Sequence, residues 1–411
     1  MLRILLSIVT LSAAFLTGFQ NDLKPTVILI SIDGYRADYF DRYPSPTIQM
    51  LAKGGVRAKW MTPAFPTLTF PNHYTIVTGL DPQSHGITSN TIYDRDSQRT
   101  FAISKREEVT DSRWWLGEPI WVTAEKQGQK AGTLFWVGCE AAIEGVRPSY
   151  FQKFNDEVPA TERVDTVLKW LDLPVDQRPT FLTVYFSDVD HAGHSSGPDS
   201  TDVRDAIDKV DAAIARLVDG LKTRSLFDSV NIIIVSDHGM ASVDVRQAVV
   251  IDEFFTPAQV EKVAWASTLV NIYARPGMEE RIYEQLKSKL PFAIKVYRRK
   301  DVPQRFHYSH GKRIGDVVVI ADEGWLAVSR EKPRVPTGPD GKVLLKGFHG
   351  YDNRLESMRA AFIGYGPALK HATVVEDFNN RDVYNILAKI LKLTPAKNEG
   401  GSKGMSLVLG Q

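Results

Sequence analysis

Six side chains of two chemical types could act together: Asp33, Asp190, His194, Asp237, His238 and His349. The run Asn231-Ile232-Ile233-Ile234-Val235-Ser236-Asp237-His238-Gly239 shows why. Its β-branched residues read as a buried strand. The strand delivers a carboxylate and an imidazole side by side, then a glycine that lets the backbone turn. Open α/β sheets bind ligands at the carboxyl ends of their strands. Asp33 ends an earlier apolar run, Asp190 and His194 follow the run 180–187, and His349 lies between glycines in Gly347-Phe348-His349-Gly350. Three carboxylates and three imidazoles can make two mixed N/O metal sites, a ligand set that suits Zn²⁺. Taken singly, each has a plain structural reading, as a turn aspartate, a helix-face pair at spacing four, or a packed histidine. Their joint placement at one predicted sheet edge carries the metal reading. His73, His85, His191, His307, His310 and His371 lack such partners in sequence and are read as supporting or surface groups.

A hydroxyl completes the set. In Pro66-Thr67-Leu68-Thr69-Phe70-Pro71-Asn72-His73, Thr69 precedes a proline that opens a helix toward Thr78-Gly79. Unpaired N–H groups and the helix dipole favour an anion at such a point. A threonine hydroxyl is a poor nucleophile at neutral pH, and metal coordination lowers its pKa. The competing reading is a plain N-cap, and Thr67 is the neighbouring alternative.

Positioning these groups requires parallel strands joined by helices. Val203, Ile207, Val210, Ile214, Leu217 and Leu221 alternate spacings of four and three, which puts them on one helix face. With strands on either side, 180–236 reads as one β-α-β crossover. Further helices are expected at 46–52 and 382–391, and further strands at 26–32 and 360–364. Residues 251–347 break the pattern with a basic, aromatic stretch at 297–313 and an apolar run at 317–321. They read as an inserted, smaller α+β lobe. The expected fold is α/β, with a mostly parallel central sheet flanked by helices.

At 411 residues the chain suits one large α/β domain or a core with a cap. Its 43% hydrophobic and 24% charged content is ordinary for a soluble globular protein. A formal net charge of +1 gives no field that points to nucleic acid or an acidic membrane. Met1-Leu2-Arg3 and the apolar residues after it read as a secretory signal over residues 1–20, short for a membrane span. Cleavage or retention as an anchor stays open. Cys139 is the only cysteine, so no intrachain disulfide can form. Export without disulfides suits a bacterial periplasm.

The motifs taken together resemble the nucleotide pyrophosphatase/phosphodiesterase family of the alkaline phosphatase superfamily. The matching stretches are Ile32-Asp33-Gly34, residues 66–80 (PTLTFPNHYTIVTGL), Ser84-His85-Gly86-Ile87, Gly117-Glu118-Pro119-Ile120-Trp121, residues 190–198 (DHAGHSSGP), 236–239, 305–308 and 349–353. They run in family order over nearly all of 21–411, which the resemblance makes a single catalytic alkaline-phosphatase-like domain with its lobe at roughly 251–347. The resemblance implies Thr69 as nucleophile. It implies one zinc on Asp190, His194 and His349, and another on Asp33, Asp237, His238 and the Thr69 oxygen. Asn90 matches the asparagine that holds a phosphoryl oxygen. Phe70 and Tyr185 match the nucleoside slot, and Phe154 joins them on a looser alignment. Cys139 departs from the family, where serine is common.

The implied activity is hydrolysis of nucleotide phosphodiester or pyrophosphate bonds to nucleoside 5′-monophosphate, through a covalent phospho-threonine. The small-molecule substrate needs no nucleic-acid-binding module. A choline-type lipid-head-group phosphodiesterase would use the same metals but needs a cage for a quaternary ammonium. A periplasmic metal- or nucleotide-binding protein without turnover is the reading from another class, and intact Thr69 and Asn90 stand against it. No Cys or Ser occupies a sulfatase-type Cys/Ser-x-Pro-x-Arg motif.

Overall fold

A computed structural model describes residues 24–331 and 346–410. The expected signal segment lies outside the described residues. Among the described residues no helix is long and apolar enough to cross a membrane.

The large sheet has eight strands. In spatial order they are Thr373–Val375, Val56–Ala58, Phe362–Tyr365, Val230–Val235, Thr26–Ile32, Phe181–Phe186, Ala131–Leu134 and Tyr150–Gln152. All neighbours pair in parallel except Phe362–Tyr365, which runs antiparallel to both of its neighbours. The sheet is therefore mostly parallel. The three central strands are fully buried along their length, as expected where helices cover both faces.

Residues 181–235 form the expected crossover, but the two strands do not touch. Thr26–Ile32 lies between them and pairs with both. The helix Thr201–Thr223 begins where the Ser200 hydroxyl caps the Val203 N–H. Val203, Ile207, Val210, Ile214, Leu217 and Leu221 are all completely buried. Each such side chain contributes about 1.5–3 kcal/mol. An aspartate at Ile214 would bury an unpaired charge and break this face.

Residues 251–347 carry a separate antiparallel sheet, in the order Val260–Trp265, Leu269–Ala274, Val317–Ala321, Ile294–Arg298, with the helix Glu279–Lys289 packed on it. The basic stretch 297–313 is engaged in surface pairs: Arg298 with Glu280, Arg305 with Asp352, and Arg313 with Asp94. These pairs tie the stretch to Glu280 on the neighbouring helix and to Asp352 and Asp94 outside it.

Candidate active site

Three parallel strands ending level with one another build the site. Ser31 is opposite both Tyr185 and Val235. The next turns therefore place Asp33, Ser187 and Asp237 along one edge. Gly34 adopts φ +70°, and a Cβ there would come within 3.0 Å of the Asp190 backbone. Its N–H donates to Asp237 Oδ1 at 3.2 Å, tying two turns together. Gly239 does not serve as the expected turn residue. It is needed for close approach, since a Cβ there would lie 2.1 Å from the Ser357 carbonyl oxygen. Asp190 and His194 lie one turn apart on the helix Asp188–Ser196, so the helix-face pair and the candidate ligand pair are the same pair.

The six groups gather as two sets, Asp33/Asp237/His238 and Asp190/His194/His349, with candidate ligand atoms within 4.8 Å of one another in each set. The His238 and His349 rings stack at 3.6 Å, which joins the sets. Each histidine turns Nδ1 to a backbone carbonyl: His194 to Gly347, His238 to Gly239, His349 to Thr67. A carbonyl only accepts, so Nδ1 carries the proton and the neutral ring offers a lone pair at Nε2. Yet His194 Nε2 and His349 Nε2 are 3.2 Å apart, and His238 Nε2 is 2.9 Å from Asp237 Oδ2. Acceptors thus face acceptors. Asp33 Oδ1, Asp190 Oδ1 and Asp237 Oδ2 are buried without a hydrogen-bond partner. This donor set fits cations, and no proton arrangement of the neutral rings satisfies it.

The groups perturb one another strongly: burial works against the His238 imidazolium, but Asp237 outweighs it and pushes that imidazole up, so a proton at Nε2 can serve Asp237 as a metal ion would. Burial pushes the Asp33 carboxyl well up, and Asp237 and Asp190 add to that. Burial also works against Asp237, but His238 and His73 outweigh it and hold that carboxyl well below its usual range. His349 is held well below the usual imidazole range by burial and by His238 and His194.

Thr69 is the first residue of the helix Thr69–Thr78, two residues earlier than Pro71 suggested, and Leu68 is its N-cap. Its hydroxyl makes no cap hydrogen bond. Oγ1 instead lies 3.3 Å from His238 Nε2, while Thr67 Oγ1 donates to the Tyr351 carbonyl and is buried away from the site. Asn90 Oδ1 accepts the Phe70 N–H at 3.1 Å, which ties Asn90 to the residue after Thr69 and leaves the amide nitrogen as its donor end.

His73, set aside from the sequence, holds this region together. Its Nδ1 is 2.9 Å from the Thr69 carbonyl oxygen and 3.3 Å from Asp237 Oδ2, and its Nε2 is 2.7 Å from Ser31 Oγ. The available signal was its place four residues after Thr69, on the same helix face. His191, the near rival of His194, is exposed and faces Asp156 outside both sets.

A cavity of about 390 Å³ adjoins Thr69, Asp33 and Asp190. Phe70, Phe154 and Tyr185 all line it, with Phe154 and Tyr185 edge to face at 6.1 Å. Arg106, Glu140 and Asp156 line it too, and no sequence signal marked them. Tyr185 has a second contact: its hydroxyl donates to Asp33 Oδ2 at 2.6 Å. Burial and the Asp33 charge push the phenol well up, so it stays a donor. Cys139 is buried, and burial pushes its thiol up to about 12, which makes it a packing residue.

The fold and the paired groups at its sheet edge define the alkaline phosphatase superfamily. The chain belongs to the Type I phosphodiesterase / nucleotide pyrophosphatase family, whose model matches residues 27–352. An uncharacterized pyrophosphatase/phosphodiesterase of Schizosaccharomyces pombe is 40% identical over 395 residues, 93% of this chain and 80% of that one. Ectonucleotide pyrophosphatase/phosphodiesterase family member 3 of Bos taurus is 39% identical over 384 residues, 92% of this chain and 43% of its own length. This chain thus spans less than half of that relative. Murine ectonucleotide pyrophosphatase/phosphodiesterase 5, in an inactive threonine-to-alanine form in complex with AMP, superposes with a TM-score of 0.86 at 30% identity, covering 94% of this chain and 100% of that one.

Proposed function

We propose that this chain is a zinc-dependent phosphodiesterase and nucleotide pyrophosphatase that releases nucleoside 5′-monophosphates through a covalent phospho-threonine. The observation that carries the reading is Thr69 Oγ1 directed at the Asp33/Asp237/His238 set at the mouth of an aromatic slot. Asp33, Asp237, His238 and Thr69 would hold one Zn²⁺, and Asp190, His194 and His349 the other. Bound there, the ions supply positive charge for the transition state and lower the pKa of hydroxyl groups.

Thr69 Oγ, having lost its proton, attacks phosphorus as the bond to the leaving oxygen breaks. The product is a phospho-threonine diester, and water attacks it in line to return Thr69. Asn90 donates to an equatorial phosphoryl oxygen. Phe70, Phe154 and Tyr185 hold the nucleoside by stacking. His73 fixes the Thr69 carbonyl against Asp237, which keeps the nucleophile aligned.

A diester fits better than a monoester. A monoester dianion calls for free positive groups, and Arg106 in the slot is already paired with Glu140. We further propose that 21–411 acts as one catalytic unit with its lobe near 251–347. Thr268 of that lobe donates to the His349 carbonyl and buttresses a ligand. Export behind a leader over residues 1–20, into a bacterial periplasm, is the placement that the sequence favours.

Rates on a nitrophenyl nucleotide diester and on nitrophenyl phosphate test the reading. The diester should be cleaved by far the faster with zinc-loaded protein. A preference for the monoester would overturn it.

A further inference from the structure

A carboxylate stands where an anionic substrate should not want one. Asp156 lines the slot beside Phe154, Ser187 and His191. A carboxylate only accepts hydrogen bonds, and against a phosphodiester it repels. Its position therefore calls for neutral donors on the ligand.

Asp156 is also held rigidly. Its Oδ1 accepts from Ser187 Oγ and from Arg163 Nη2 at 3.2 Å. Arg163 is itself buried and donates to the Val158, Tyr185 and Asp156 carbonyls. Oδ2 takes no part in these bonds and lies 3.5 Å from His191 Nδ1, with the side chain one-third exposed. One fixed acceptor oxygen is thus left for the slot.

Its place along the slot identifies the donor. Ser187 follows the strand beside Asp33, and His191 follows Asp190, so Asp156 adjoins the phosphoryl end. Phe154, two residues before it, supplies the ring wall. The part of a nucleotide between its phosphoryl group and its stacked base is the sugar. We propose that Asp156 accepts hydrogen bonds from ribose hydroxyls and makes the slot selective for ribonucleotides over 2′-deoxyribonucleotides. This rests on the nucleotide reading above.

Calorimetric binding of AMP and 2′-deoxyAMP to the zinc-loaded protein tests it without turnover. AMP should bind roughly tenfold or more tightly, the size of one hydrogen bond to a charged group. Asp156→Ala should bring the ratio near one, and Asp156→Asn, which keeps the shape and one acceptor oxygen, should reduce it. The kcat/KM ratio on matched ribo- and deoxyribonucleotide nitrophenyl esters should fall in step. Structural damage would instead weaken both ligands equally and leave the ratio intact. Equal binding of the two nucleotides by the unmodified protein, or a ratio that survives both substitutions, overturns the proposal alone. A contrast that follows the 6-amino group, read from AMP against IMP, also overturns it. A protein that binds neither nucleotide sinks the parent reading as well.

Discussion

His194 Nε2 and His349 Nε2 approach to 3.2 Å, although both rings already commit Nδ1–H to backbone carbonyls. Two lone pairs at that distance repel unless a proton or a metal ion lies between them, and the neighbouring Asp190 carboxylate favours the metal ion. Chelation should therefore cost stability as well as turnover. At a free-metal concentration 100 times Kd, each site adds about 2.7 kcal/mol to folding. Thermal unfolding with a chelator, then with excess Zn²⁺, reads the difference. A midpoint that ignores metal would refute both sites.

Thr69→Ala should lower turnover by at least about 10⁴-fold, the scale seen when a nucleophile is removed. Bound metal should remain, because Asp33, Asp237 and His238 are untouched. Metal content by mass spectrometry and hydrolysis of a nitrophenyl nucleotide, measured on one sample, separate the two effects.

Asn90→Ala should reduce kcat by about 10²–10³-fold, the usual loss for one oxyanion donor. The orientation of Asn90 depends on the Phe70 N–H, which its Oδ1 accepts. Asn90→Asp should be worse than Ala, since a carboxylate would face the phosphoryl oxygens. Steady-state kinetics of the two variants checks the order.

Tyr185→Phe keeps the slot wall and deletes the hydroxyl that donates to Asp33 Oδ2. Metal affinity at the Asp33/Asp237/His238 set should fall about 10–100-fold. Competition against a chromogenic chelator measures it directly. Unchanged affinity would leave Tyr185 with the stacking role alone.

His85 makes acid stability testable away from the metal sets. Burial pushes its imidazole down to about 3, and it pairs with Thr75 in the core. The unfolded chain takes the proton near pH 6.5, while the folded chain resists until about pH 3. The stability from this group is thus complete above pH 6.5 and is lost as pH falls through that window. Between pH 6.5 and 4.5 the loss is about 2–3 kcal/mol. Denaturant unfolding of the unmodified chain and of His85→Gln at both pH values should show a shallower pH slope in the variant.

Much of this protein was legible in its residues. Apolar runs marked the three central strands, and a four-three spacing marked the helix 201–223, because both signals are local. The candidate ligand types were legible too, since Asp237-His238, Asp33 and Asp190 each follow a strand end in the chain itself. Thr69 was legible as a hydroxyl near a helix start, but its helix begins two residues before the proline implied.

Local spacing left the grouping open and the family resemblance supplied it; the tertiary structure shows the contacts that bring those groups together. The pairing of Asp33 with Asp237 depends on strands that sit side by side only after Thr26–Ile32 inserts between the two arms of the crossover. The stacking of His238 on His349, the grip of Tyr185 on Asp33 and the bridge from His73 to Asp237 are contacts between segments far apart in sequence. So is the clamp of Arg163 and Ser187 on Asp156. Local sequence encodes what a side chain can donate or accept. Packing decides which neighbour receives it, because burial removes water as the alternative partner.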